Sequence, residues 1–266
     1  MTKINSVKGM AVIMLFIVEI AAVPLLLRAF IYSVAAPVFF MACGYEKDQE
    51  FSLSVLKKKS VSVFAPYAVT CVFSAACCLA GVSKTEPTAI IKHITPVWIV
   101  LAMYVVSVVY GYFCGKKKKN TAIVFSVLCL VIALGGMIWG IKGHVLPLGV
   151  DVMAVMFIFV LFGDILSRCS LLLHKLRYIA FPVALVVWCA LVYFGRWMEI
   201  PIRAYRGHIL CIVCACAGCV VLIGVASLLE KCKVVTAFFE WCGQNAVIGL
   251  CVAGYMQLNV DWMDIY

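Results

Sequence analysis

Two ionisable residues, Lys8 and Glu19, stand eleven positions apart in the apolar stretch SVKGMAVIMLFIVEIAAVPLLLR, Ser6 to Arg28. Eleven residues make three turns of an α-helix, so both fall on one face, with Glu19 about 16 Å further along the axis. A carboxylate at bilayer depth costs on the order of 2 to 3 kcal/mol even on lenient insertion scales, so such groups face a protein interior or a watery cavity. A carboxyl held there can accept a proton from a reacting hydroxyl, pair with Arg28 across a tight hairpin, or line a polar path. Lys8, at the mouth of the same face, adds a positive charge suited to an anion.

The elements that must position these residues follow from composition. The chain has 266 residues, 66% hydrophobic and only 13% charged, well below the charged share of a soluble domain. The expected fold is all-α: one multi-pass transmembrane bundle over 1–266, with no linker, second domain or internal repeat. About 20 residues cross about 30 Å of hydrocarbon. Nine apolar runs meet that need, near 9–27, 30–45, 60–82, 95–114, 120–141, 148–166, 178–195, 208–229 and 240–258. The first is longer than a signal-peptide core and lacks a small-residue cleavage site, so it is expected to be a retained span. Glu19 then sits near the middle of that span.

Assigning the connections alternately puts Lys3, Lys8, Lys47, Lys57, Lys58, Lys59, Lys116 to Lys119, Arg168, Lys175, Arg177, Lys231 and Lys233 on one side. The other side holds Arg28, Lys84, Lys92, Lys142, Arg196, Arg203 and Arg206. The positive-inside bias places the N-terminus in the cytoplasm and the acidic end NVDWMDIY outside. The net charge of +10 is thus topological, with anionic headgroups as its partner rather than nucleic acid.

Other chemistry-bearing residues have plainer readings. Most of the fifteen cysteines lie in apolar runs, where a free thiol behaves as a small hydrophobe. Cys211, Cys214, Cys216 and Cys219 imitate a metal motif, but on a helix they spread over more than half the circumference, so no metal is expected. His93, His144, His174 and His208 fall at span ends and read as solvated, although His144 and His208 share the outer side. Asp164 and Arg168 have the spacing of a helical ion pair. Asp151 suits a helix N-terminus, and Glu240 an interfacial end.

The order of short motifs carries a resemblance. NSVKGMAVIMLFIVEI resembles the opening of the acyltransferase family 3 membrane proteins, in the branch that includes the membrane domains associated with serine supply in vancomycin resistance. FIYSVAAPVFFMACGYEK is similar to the family's Phe-rich second span, LKKKSVSVFAPY to its basic loop ending in Pro-Tyr, and PVWIVLAMYVVSVVYG to the span that usually begins Trp-Phe-Leu. VDVMAVMFIFVLFGDIL resembles the Asp-opened span, and FFEWCGQNAVIGL the late Gly-x-Asn-Ser motif.

The resemblance implies a bacterial plasma-membrane enzyme that moves an acyl group, often acetyl, from cytoplasmic acyl-CoA to a hydroxyl of a sugar or cell-envelope glycan. It implies catalytic roles for Glu19 and Lys8 and substrate contacts for Arg28, Lys57, Lys58, Lys59, Asp151 and Asn245. The chain departs from the family at several points: Glu19 stands where the family has its histidine, Asn5 where it has an acid, Ala35 where a second His is common, and Ala246 where the late motif has Ser. The family's tenth span has no counterpart. Two readings stay open: an O-acyltransferase with Glu19 as base, or an inactive relative acting as a scaffold or a carrier of a small zwitterion such as serine.

Overall fold

The computed structural model describes residues 2–20, 23–46, 53–80, 96–114, 119–143, 146, 149–200 and 202–259. Among them are ten helices: α1 (Thr2–Ile20), α2 (Leu25–Tyr45), α3 (Leu53–Leu79), α4 (Pro96–Cys114), α5 (Lys119–Ile141), α6 (Val150–Arg168), α7 (Ser170–Tyr193), α8 (Ile209–Leu229), α9 (Lys233–Gln244) and α10 (Ala246–Asn259). A two-stranded antiparallel hairpin, β1 (Met198–Glu199) and β2 (Ala204–Tyr205), lies between α7 and α8 and pairs Met198 with Tyr205.

Each of the nine apolar runs carries a helix, so the all-α expectation holds. The span count does not follow as simply. Among the described residues, five helical stretches are long and apolar enough to cross a membrane: Leu25–Tyr45, Leu56–Leu79, Val124–Ile141, Val150–Arg168 and Ile209–Leu229. A sixth is gained if α9 and α10, bent by 74° at their junction, count as one broken span. Helix α1 carries three charges, Lys3, Lys8 and Glu19, along its length, while α4 and α7 contain the uninterrupted apolar stretches Val97–Phe113 and Tyr178–Tyr193.

The first hairpin corrects the sequence reading at the position that matters most. Helix α1 runs from Thr2 to Ile20 instead of 9–27, so Glu19 sits in its last turn and not at mid-span. The cause is Pro24, in extended geometry at φ −54° and ψ 145°, which disfavours helix in the residue before it. Helix α2 restarts at once, the Arg28 amide donating to the Pro24 carbonyl at 3.0 Å.

Helix α2 is the centre of the bundle, packed by α1, α4, α6, α7 and α8 and buried almost continuously from Ala29 to Gly44. In a bilayer, helices gain little from apolar area alone, and small residues that let backbones touch decide which pairs associate. Gly44 of α2 lies on the Val160 carbonyl of α6, while Gly163 of α6 lies on the Met41 carbonyl of α2. Gly9 of α1 and Gly243 of α9 make the same reciprocal contact, on the carbonyls of Phe239 and Asn5. A Cβ at any of the four would collide with backbone.

Candidate functional site

Glu19 leaves the last turn of α1 half-buried and faces α2. The Tyr32 hydroxyl donates to its Oε1 at 3.2 Å, and the Arg28 guanidinium lies 5.3 Å above the Tyr32 ring. The expected pairing of Glu19 with Arg28 is not the one formed. Arg28 Nη2 donates instead to Glu199 Oε1 at 2.9 Å, from a side chain 47% exposed to one only 6% exposed. Glu199 belongs to β1, whose inward side is sealed by Trp197, Met198 and Ile200. Desolvating a carboxylate that far requires a paired cation, and Arg28 supplies it. Glu19, Tyr32, Arg28 and Glu199 thus form one polar chain linking α1, α2 and the hairpin.

Lys8 occupies the other end of the same helix face. Its Nζ donates to both oxygens of Glu46, at 2.9 and 3.1 Å, at the C-terminal end of α2. Both predicted partners of that face therefore point to α2, as the three-turn spacing requires. Lys59 of α3 joins this end, since Lys59, Glu46 and Lys8 are the charges around the Cys43 thiol. Lys57 and Lys58, the two residues before Lys59, are exposed, and Ser60 shares a 2.6 Å hydrogen bond with Tyr104 of α4. The structure brings Lys8 and Lys57 to Lys59 to one end of the bundle, and Glu19 and Arg28 to the opposite one.

Asp151 does not act as a helix cap. Gly149, at φ +65°, starts α6 with its backbone against the Trp98 indole, and the fully buried Asp151 carboxylate accepts from Arg203 Nε at 2.7 Å. Arg203 itself has φ +54° in the turn of the hairpin. Next to this pair the Tyr205 hydroxyl is buried with no partner among the described residues. Burial first, and the charge of Asp151 second, push its phenol up from the ordinary range, so it stays neutral. Arg203 and Glu199 bolt the turn and the first strand of the hairpin to α6 and α2.

Asn245 lies at the break between α9 and α10, far from Glu19 in sequence and held by local bonds. Its Nδ2 donates to the Trp241 carbonyl at 2.9 Å, and its own carbonyl receives the Gly249 amide at 3.0 Å. Asp164 and Arg168 form the expected pair, at 2.7 and 3.0 Å, with the buried Tyr110 hydroxyl adding a third bond at 2.8 Å. Cys211, Cys214 and Cys219 are buried in the core, and among the described residues no group of three or more potential ligands could hold a metal ion. His93 and His144 lie outside the described residues, as does the His174 side chain; His208 is exposed at the start of α8.

Sequence reasoning missed Tyr32, Glu46, Glu199 and Tyr110. Only Glu46 had a local signal, because a tight first hairpin must return the chain to the level of Lys8. Compared with known proteins, the chain matches no family model, no curated protein and no solved structure.

Proposed function

We propose that this chain is a multi-pass acyltransferase-like protein of a bacterial plasma membrane, of the acyltransferase family 3 kind, with its N-terminus cytoplasmic. The observation that carries the reading is the bipolar face of α1: a lysine-bearing end around Lys8 and a half-buried carboxyl at Glu19, both turned to α2. A donor such as acyl-CoA has a polyanionic anchor and a distant reactive end, and it supplies the activated acyl group. The exposed Lys57 and Lys58, with Lys59 beside them, suit its phosphates. Glu19 takes the proton of the acceptor hydroxyl as its oxygen bonds to the thioester carbonyl, and that proton passes to the coenzyme A thiolate when the C–S bond breaks; Tyr32, bonded to the same carboxyl, fixes its orientation. The remaining spans of the nine-span topology would be α1, α4 and α7.

A second reading, a carrier of a small zwitterion, is favoured by one arrangement. Ion pairs close both ends of α2, Lys8 with Glu46 and Arg28 with Glu199, as gates at the two mouths of a polar path would. Acetyl-CoA binding to purified protein in detergent separates the two. Saturable binding, weakened at least tenfold in Lys8→Ala or in a Lys57→Gln, Lys58→Gln, Lys59→Gln variant and kept in Glu19→Gln, is the expected result. No binding by wild type would end the acyltransferase reading and turn attention to serine uptake in proteoliposomes.

A further inference from the structure

Helix α9, KVVTAFFEWCGQ, is a twelve-residue element lying at 74° to α10. Both of its corners are pinned. The Thr236 hydroxyl donates to the Leu229 carbonyl at 2.7 Å and ties α9 to the end of α8, while Asn245 bonds back to Trp241 at the other end. Helix α10 runs along the bundle: Gly249 lies against Val12 of α1, Gly254 against Val97 of α4, and Tyr255 against Phe73 and Cys77 of α3. A helix bent 74° away from that direction runs across the end of the bundle.

At about 100° per residue the side chains of α9 divide into three sectors. Cys242 and Gly243 are buried in the sector turned to α1, where Phe239 also packs on the core. Val234, Phe238 and Trp241, at i, i+4 and i+7, make an apolar stripe 80, 51 and 63% exposed. Lys233, Glu240 and Gln244 fill the remaining sector, continuing the exposed Lys231 and Glu230, whose carboxylate pairs with Lys3 at 3.2 Å. An upright helix within the hydrocarbon would meet lipid over all of its free surface, and a charged sector there would be costly. A helix lying in the interface meets protein, acyl chains and water on three different sides.

We propose that α9 is an in-plane interfacial helix that docks on the lipid leaflet at the lysine-bearing end of the bundle. Val234, Phe238 and Trp241 enter the acyl boundary, and Lys231 and Lys233 meet anionic headgroups. The occupant of the stripe is lipid because the stripe continues onto the exposed Ile248 and Val252 of α10, part of the same bundle surface that the bilayer covers. The predicted ninth span over 240–258 is accordingly not a straight crossing: its first turns lie flat and α10 alone enters the bilayer. This inference requires only that the bundle is in a membrane and is independent of acyl transfer.

The test is site-specific photo-crosslinking of the full chain in vesicles of equal phosphatidylglycerol and phosphatidylcholine, with a diazirine-bearing phenylalanine at position 234, 238, 241 or 240, read by mass spectrometry. Lipid adducts at 234, 238 and 241 and water quenching at 240 are expected, with phosphatidylglycerol enriched at least twofold and the enrichment lost in Lys231→Gln, Lys233→Gln. Protein adducts along the stripe would overturn the proposal in favour of a protein partner or second copy. Water quenching at all four positions would overturn it by lifting α9 off the membrane. Equal lipid labelling at 240 would overturn it by standing α9 upright, and enrichment unchanged in the lysine variant would overturn the headgroup assignment.

Discussion

At the scale of single residues, buried ion pairs separate from exposed ones by what their loss leaves behind. Asp151→Asn leaves the largely buried Arg203 guanidinium without its counter-charge, and a broken buried pair costs about 3 to 5 kcal/mol. Lys3→Gln removes a pair whose members are both open to solvent and should cost under about 1 kcal/mol. Thermal unfolding in detergent should therefore rank Asp151→Asn far below Lys3→Gln, and equal losses would refute the burial argument. The residues of this site were legible in part. Lys8, Glu19, Arg28 and Asp151 stand out because charge in apolar sequence is expensive, but expense does not name the partner. Glu199 and Arg203 lie 171 and 52 positions from the groups they neutralise, and no local pattern records such distances.

At the scale of elements, the sequence displays apolar length well and helix ends poorly. The runs found the apolar body of each long helix but left out Lys233–Phe239 of α9 and the first turns of α7, and Pro24 moved the end of α1 by seven residues and changed the depth of Glu19. The break at Asn245 was equally hidden, since both halves are apolar enough to read as one run. Helix pairing was hidden too, because a glycine in an apolar run says nothing of which backbone it touches. Gly44→Leu should separate α2 from α6, costing at least 1 to 3 kcal/mol, since the neighbour is the Val160 carbonyl, which cannot turn aside. Gly135→Ala, with open space around its Cα, should instead leave stability unchanged or raise it by up to about 1 kcal/mol. Size-exclusion profiles after heating compare the two, and a tolerated Gly44→Leu would contradict the close approach.

At the scale of the molecule, the ion pairs sort the connections by end. Lys3 with Glu230 and Lys8 with Glu46 join segments that alternation assigns to one side, and Arg28 with Glu199 and Asp151 with Arg203 join segments assigned to the other. If the lysine-bearing end is cytoplasmic, the exposed Cys169 and Cys232 should react with a membrane-impermeant maleimide in inverted vesicles and stay unmodified in intact cells, as read peptide by peptide. The reverse pattern would invert the topology. The hairpin that clamps the opposite end also orders events in time. Arg28 and Asp151 leave the ribosome well before Glu199 and Arg203, and at 5 to 20 residues per second the first of these waits lasts on the order of ten to thirty seconds. During that interval a guanidinium and then a carboxylate are in place without the partners they finally pair with, so the clamp at that end closes only after most of the bundle has been translated.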